Sequence, residues 1–386
     1  MSADSCESWF MTPQDSETTR LQDYIAEVLP WAQGHQLKGI TTFVAAIMEK
    51  QTGNQAELAR GLGNQEAAVK RLSRLLHNPR LAPHRLADAV LAQALRHLPS
   101  TGKVRLAVDW TIEGSQHLLV ASLVTGGRAV PIYWRAYDAG VLKGRMRRYE
   151  RAVIRRVVTR VQRAIGNRRL LVTADRGFAD VALVEVLTAL AGEFIIRVKG
   201  STKICFHGQW RPLHTLGFVG NAHHRNLGRR AYCESAPHRL WVTMSRARDA
   251  KGQWEVWYLI SNRCRRAQTT AAEYARRFGC EQGFRDTKWE LGFAQARIQN
   301  IHAWSRLFAL FALALLVVVS LAVKLLVAGG PDAVALLRRV ASRRRGRWDL
   351  SIVSAMVRLL HVDKGLLAHL SSHITFHLEA RLVYVS

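Results

Sequence analysis

The residues of this 386-residue chain that could do chemistry are a few acids among many bases. Asp109 lies at the end of a strand-like run in which the alternate residues Val104, Leu106 and Val108 are apolar. Asp175 ends a shorter apolar run, LLVTAD (170–175), and Arg176-Gly177-Phe178 follow at once. Carboxylates at strand ends sit at the open edge of an α/β sheet, where such proteins place their sites. Either alone has an ordinary alternative as a turn residue or helix cap, so the pair gains weight only with a third acid. That acid lies in AAEYARRFGCEQGFRDTKWELG (271–292), where Tyr274, Arg277, Glu281 and Lys288 are spaced Tyr-x2-Arg-x3-Glu-x6-Lys. On a continuous helix turning ~100° per residue, the four share an arc of roughly 60°. Asp286 and Glu290 point elsewhere, at about 120° and 160° on the same count. One helix face then carries an aromatic hydroxyl, two cations and a single carboxylate. A plainly solvated face would mix several acids with several bases.

The elements that must hold these residues can be read from hydrophobic period and turn chemistry. KVRLAVDWT (103–111), HLLVASLVT (117–125) and AVPIYWRAY (129–137) are strand-like, with turn residues at Glu113-Gly114-Ser115 and Gly126-Gly127. Arg145 to Ile165 reads as an amphipathic helix with the apolar stripe Val153, Ile154, Val157, Val158, Val161 and Ile165. The strand LLVTAD, a helix near 180–193 and a strand FIIRVK (194–199) follow. The order βββαβαβ predicts an α/β sheet with three antiparallel strands followed by parallel ones. Residues 200–262 change texture, with short alternating runs such as RLWVTMS (239–245) and WEVWYLIS (254–261), and read as an all-β insertion. Residues 267 to about 361 are helical in pattern. Ahead of the sheet, 1–18 read as a loose polar tail, 19–98 as helical, and Pro99-Ser100-Thr101-Gly102 as a linker.

Composition limits the class of partner. The formal charge is +27, with 45 Arg and 11 Lys against 29 acids. Such a charge on a chain that is 48% hydrophobic points to a folded protein meeting a polyanion, most often nucleic acid. The segment Gln55 to Asn78 has Ala59, Gly63 and Val69 at helix-turn-helix spacing. Lys70, Arg71 and Arg74 then project from its second helix as candidate DNA contacts; the ordinary alternative is a plain helical hairpin. The arginines of 145–156 and a second cluster (Arg338, Arg339, Arg343, Arg344, Arg345, Arg347) could follow DNA flanks. Five scattered cysteines without Cys-x-x-Cys spacing exclude a disulfide framework or zinc knuckle and fit a reducing cytoplasm. His223-His224 lacks supporting ligand spacing. Asp4, Glu7, Asp15 and Glu17 precede the first base, Arg20, the reverse of a secretory signal. Leu307 to Val323 is apolar except for Ser320 and is read as a buried core helix; no membrane partner is expected.

Taken together, VDWT around Asp109, ADRGF around Asp175 and the Tyr274/Arg277/Glu281/Lys288 set make the sequence resemble the DDE transposases of bacterial insertion sequences. Within these it resembles the IS-four-type group with a Tyr-Arg-Glu-Lys signature. The resemblance covers about residues 35–330 and implies an α/β fold with a ribonuclease-H-like catalytic core interrupted by an all-β insertion. The implied organisation is a helical N-terminal DNA-binding region (1–100), the first part of the core (101–199), the β insertion (200–265), the second part of the core (266–330) and a helical C-terminal region (331–386). It implies Asp109, Asp175 and Glu281 as the catalytic, metal-binding acids, with Tyr274, Arg277 and Lys288 on DNA phosphates. The expected cofactor is Mg²⁺, two ions, with Mn²⁺ as a substitute, since hard cations take oxygen ligands. The expected partners are the terminal inverted repeats of its own element and target DNA, met as a homodimer holding two ends. In relatives a Trp of the insertion stacks on an extruded base during hairpin formation. WYLISN (257–262) resembles that strand, so Trp257 is the first candidate and Trp254 the second. Packing in the β core is the alternative for Trp257. A catalytically inactive DNA-binding derivative and a ribonuclease-H-like nuclease are the competing functions.

Overall fold

The computed structural model describes residues 17–96, 102–125, 128–166, 169–235, 237–249, 252–322, 325–326, 330–344, 347–363 and 365–366. Nearly all of the expected N-terminal tail, most of the Pro99–Gly102 linker, the Gly126-Gly127 turn, Arg345 and everything beyond residue 366 lie outside them. The chain divides into two compact units. One comprises Val90–Arg285; the other is built from the described residues before it and from Asp286 onward.

The first unit is organised by one ten-stranded sheet, in the order β3-β2-β1-β4-β5-β10-β9-β8-β6-β7. β1 (Val104–Glu113), β2 (Gln116–Thr125) and β3 (Arg128–Asp138) form an antiparallel meander. Gly114 supplies the positive φ (58°) that the β1–β2 turn uses. β4 (Leu170–Ala174) and β5 (Glu193–Val198) run parallel to β1, as the βαβαβ pattern requires. All five residues of β4 are buried, which explains its unbroken apolar run. α7 (Met146–Ile165) buries Val153, Ile154, Val157, Val158, Val161 and Ile165, the stripe read from its 3.6-residue period. It follows a single turn, α6 (Ala139–Leu142), and α8 (Val181–Ala189) joins β4 to β5.

The β-rich segment is not a body apart from the sheet. β10 (Trp254–Ser261) pairs antiparallel with β5, with Tyr258 opposite Val198 and Ile260 opposite Ile196. β9 (His238–Arg248), β8 (His224–Tyr232), β6 (Lys203–Phe206) and β7 (Gln209–Pro212) then extend the same sheet. The physical reason is edge pairing: β5 would otherwise present a row of unpaired backbone groups, and β10 satisfies them.

After β10 the chain returns across the sheet as α9 (Ala267–Ala275) and α10 (Gly279–Arg285). Glu273 on α9 accepts hydrogen bonds from Arg105 Nε (2.8 Å) and Lys103 Nζ (3.1 Å), which ties the helix to the start of β1. Gly283 seats α10 on β3, since a Cβ there would lie 2.2 Å from the Ala129 carbonyl oxygen. Only glycine allows that approach.

The second unit is helical. α1 (Glu17–Val28), α2 (Gly34–Lys50), α3 (Gln55–Ala59), α4 (Gln65–His77) and the start of α5 (Pro83–Arg96) come from its first segment. α11 (Ile301–Ala322), α12 (Gly330–Arg338) and α13 (Ile352–Val362) come from its second. α11 is buried throughout from Ala303 to Ala322, and α2, α4 and α13 pack against it, so its apolar faces are covered by protein. Arg306 on α11 donates to the Leu81 and Leu76 carbonyls (2.6 and 2.9 Å). Those acceptors satisfy a buried cation that would otherwise be costly. The 331–386 region is not uniformly helical: β11 (Arg343–Arg344) and β12 (Arg347–Trp348) make a short hairpin between α12 and α13.

Burial alone would raise the Glu273 pKa, but Arg105 and Lys103 outweigh it and hold the carboxyl down at about 2. A depressed carboxyl stabilises the fold above its unfolded pKa, and that contribution fades as pH falls from about 4.5 towards 2. Glu273→Gln should therefore cost roughly 1–2 kcal/mol at pH 7, partial exposure being allowed for. Urea unfolding of both proteins from pH 7 down to 3 should show the gap closing at the acid end. A gap that does not change with pH would mean Glu273 contributes no charge-dependent stability.

Candidate active site

Asp109 and Asp175 are brought side by side by strand register. β1 and β4 pair in parallel with Val108 opposite Ala174, so the two acids follow the last paired positions on adjacent strands. Asp109 Oδ1 accepts from the Trp110 backbone N–H at 2.9 Å. Asp175 caps the 3₁₀ turn Arg176–Phe178, its Oδ1 accepting from the Gly177 N–H. Both acids thus have a capping contact, yet they also face each other electrostatically.

The third acid, Glu281, lies in the first turn of α10 with its side chain 53% exposed. It is joined to Asp109 by Arg277, which is only 5% exposed. Arg277 Nη1 donates to Asp109 Oδ2 at 2.9 Å, and Nη2 donates to Glu281 Oε1 at 3.1 Å. The guanidinium also lies over Phe278 (5.1 Å) and Tyr274 (5.6 Å), so its flat faces meet aromatic surface while its edge meets carboxylates.

Burial is the main reason that the Asp109 carboxyl is pushed up to about 6; Arg277 opposes the rise and Asp175 adds to it. One fixed guanidinium thus does not offset burial plus a second carboxylate. Glu150, beneath the same region, is likewise raised by burial, against its bonds from Trp110 Nε1 (2.8 Å) and Arg147 (3.4 Å). Residue typing missed Glu150. The available signal was that it is the one acid on an arginine-covered helix.

Three features depart from the expected arrangement. First, residues 271–292 are not one helix. A 3₁₀ turn (Arg276–Phe278) separates α9 from α10, and a π-type turn (Asp286–Glu290) follows. The single arc therefore does not form, although Arg277 and Glu281 remain paired four residues apart. Lys288 belongs to the other compact unit, as do Lys70, Arg71 and Arg74. Second, Tyr274 is fully buried with its ring against the Arg277 guanidinium, rather than lying on an open helix face. Third, Trp257 is 5% exposed and packs with Tyr274 (5.2 Å) and Phe278 (5.5 Å). Its Nε1 donates to Glu255 at 2.6 Å. Of the two tryptophans, Trp254 is the open one, 56% exposed beside Arg248 (4.6 Å) and His223 (5.4 Å).

On α4, Lys70, Arg71 and Arg74 are exposed, with Lys70 paired to Glu66 and Arg71 bonded to the Leu62 carbonyl. Asn54 and Asn64 cap α3 and α4, and Gly63 between them has φ 77°, so a helical hairpin with a glycine turn is present. Its first helix is only five residues long. Among the described C-terminal arginines, Arg339 bonds Asp363. Among the described residues no three His, Cys, Asp or Glu side chains converge closely enough to hold a metal ion. The donor types of Asp109, Asp175 and Glu281 nevertheless suit a hard cation, and such an ion would offset the cost of burying Asp109 beside Asp175.

Residues 141–317 match the family model of the transposase DDE domain. The match includes Asp175, Tyr274, Arg277, Glu281 and Lys288, and Asp109 precedes it. No curated protein matches the chain. Among solved structures, the chain is similar to a piggyBac transposase synaptic complex with hairpin DNA, at 11% identity and a TM-score of 0.44. That alignment covers 98% of this chain and 83% of the other.

Breaking a buried ion pair by removing one partner typically costs about 3–5 kcal/mol, because the other charge is left unpaired. Arg277→Met should cost about 3 kcal/mol or more on that basis, and Asp109→Asn much less, since it also removes the repulsion from Asp175. The double variant should recover part of the Arg277→Met loss. Urea unfolding of all four proteins checks this, and strict additivity would show that the two side chains do not interact.

Proposed function

We propose that the protein is a DDE transposase that cuts the ends of a bacterial insertion sequence and joins them to target DNA. The observation that carries the reading is that Asp109 stands beside Asp175 through the β1–β4 register and is tied to Glu281 through the Arg277 bridge. The family-model match over residues 141–317 supports it. Asp109, Asp175 and Glu281 would hold Mg²⁺ or Mn²⁺, two ions when fully loaded. When bound, such ions supply an activated oxygen nucleophile and charge stabilisation for the departing oxygen.

The chain's own residues have definable tasks in this reading. Gly283 seats α10 closely on β3, which keeps Glu281 in the first turn of α10 within reach of Arg277. Arg277 holds Glu281 towards Asp109 and neutralises part of the charge that a phosphate would meet there. Lys288, Lys70, Arg71 and Arg74 are proposed DNA contacts from the helical unit, acting on terminal inverted repeats. Hairpin formation is the proposed strand-processing route, with Trp254 as the stacking residue, because Trp257 is committed to the core. A homodimer would hold the two ends, and the place of action would be the cytoplasm, on nucleoid DNA.

Two measurements test the reading. Wild type with Mg²⁺ should cut and join DNA carrying the terminal repeats flanking its gene. Asp175→Asn and Glu281→Gln should bind that DNA within about twofold of wild type and lose at least 10³-fold in cutting. Binding without cutting by wild type, with Mg²⁺ and Mn²⁺ both tried, would favour an inactive DNA-binding derivative; cutting without joining would favour a nuclease. Separately, Trp257→Ala should cost about 3–5 kcal/mol of stability. Trp254→Ala should leave stability unchanged and slow hairpin closure relative to first-strand nicking. Equal slowing of both steps would remove Trp254 from the stacking role.

A further inference from the structure

A large groove on the sheet-bearing unit is lined by residues other than the acids just described. It encloses about 1210 Å³ between the C-terminal turns of α5 and the outer face of α7, and it contains no acidic residue. Its lining includes Arg96, Arg148, Arg155, Arg156, Arg160 and Arg163, with Leu95 and small alanines between them.

α7 carries seven arginines and one acid, and that acid, Glu150, is turned inward to Trp110. Like charges three or four residues apart each destabilise a helix by about 0.2–0.5 kcal/mol. Arg147/Arg151, Arg151/Arg155 and Arg156/Arg160 are such neighbours. Asp180 relieves Arg151 at 2.7 Å, and Glu150 meets Arg147. Arg148, Arg155 and Arg163 are exposed. Their positions step along the helix over about 22 Å, a length that spans roughly six phosphates of one DNA strand. A single bound phosphate or lipid headgroup would use one or two of these cations; a continuous polyanion uses them all.

The helix also connects to the acids. Arg147, in the first turn of α7, donates to the Gly177 carbonyl, in the turn that Asp175 caps. An anionic chain lying along α7 is thereby led from the groove to the sheet edge that holds Asp109 and Asp175. We propose that the α5–α7 groove is a second DNA-binding surface, a sequence-independent track for the phosphate backbone of duplex flanking the phosphodiester at the acids. The proposal rests on the transposase reading for the identity of that phosphodiester.

The test uses the full-length protein and a 40-base-pair duplex of mixed sequence, titrated over a range of salt. Each lost phosphate contact reduces the slope of log affinity against log salt by about 0.9. Arg148→Gln/Arg155→Gln/Arg163→Gln should therefore flatten the slope by about 2–3 and weaken binding on the order of 10²-fold at 0.1 M salt. A matched triple on the β extension, Arg211→Gln/Arg229→Gln/Arg239→Gln, should change the slope less. Phenylglyoxal labelling of the wild type, read by mass spectrometry, needs no variant: the duplex should protect Arg148, Arg155 and Arg163. An unchanged slope with unprotected arginines overturns the groove assignment. So does loss of anionic-vesicle binding by the groove triple while its DNA slope stays at the wild-type value. Wild type that cuts terminal-repeat DNA while the groove triple keeps its slope removes only the groove. Wild type that neither binds nor cuts DNA removes the transposase reading as well.

Discussion

A guanidinium buried between two carboxylates is the constraint on which the site depends. Arg277 could not stay charged inside the protein without acceptors for its donors. Asp109 on β1 and Glu281 on α10 supply them, and those two acids are 172 residues apart in the chain. The bond to Asp109 therefore fixes a helix to a strand across the sheet, and two other features serve the same end. The 3₁₀ turn at Arg276–Phe278 places the guanidinium, and Gly283 lets α10 approach β3 closely enough for the reach to succeed. Beneath them, Tyr274, Trp257 and Phe278 form an aromatic floor against Leu171 and Ile195. That floor excludes water from one side of Arg277 and so strengthens both ion pairs while raising the cost of losing either.

The parts of this arrangement that were legible in the sequence are those governed by a local period or a strand end. The stripe of α7, the meander β1–β3, the parallel β4 and β5, and the buried character of α11 all follow from which residues are apolar and how often they recur. So does the placing of Asp109 and Asp175 on neighbouring strands, because βαβ topology makes the strands parallel neighbours; Asp175 ends its strand as expected, but β1 runs on past Asp109 to Glu113 because β2 continues to pair with it. What was illegible needed knowledge of a partner. A single arc for Tyr274, Arg277, Glu281 and Lys288 assumes an unbroken helix, and nothing in the period marks the 3₁₀ turn or the π-type turn. Alternation in WEVWYLIS shows two faces but not which one α9 will cover, so Trp257 and Trp254 could not be told apart until the helix was in place. The extension of the sheet by β10 is a pairing choice made by the open edge of β5, which local sequence does not record.

The distribution of charge turns these separate features into one electrostatic design. The chain is strongly positive, yet its candidate site sets two carboxylates on one buried guanidinium with Asp175 beside the first, and Asp109 is pushed up to about 6 because that single cation does not offset burial and Asp175. In the proposed transposase reading, a phosphate would be drawn to the protein by the exterior field and would then meet like charge at Asp109 and Asp175. Cations must therefore stand along the approach, and they do: Arg147 touches the turn that Asp175 caps, and the arginine face of α7 runs outward from there. Glu150 shows that the separation is physical and not just compositional. It is the one acid on that helix, and it is turned inward onto Trp110, meeting only Arg147 at the helix start. Negative charge inside and positive charge outside, divided by one helix, is the arrangement that the proposed reading requires, in which a polyanion would be gathered by one surface and presented to acids on the other.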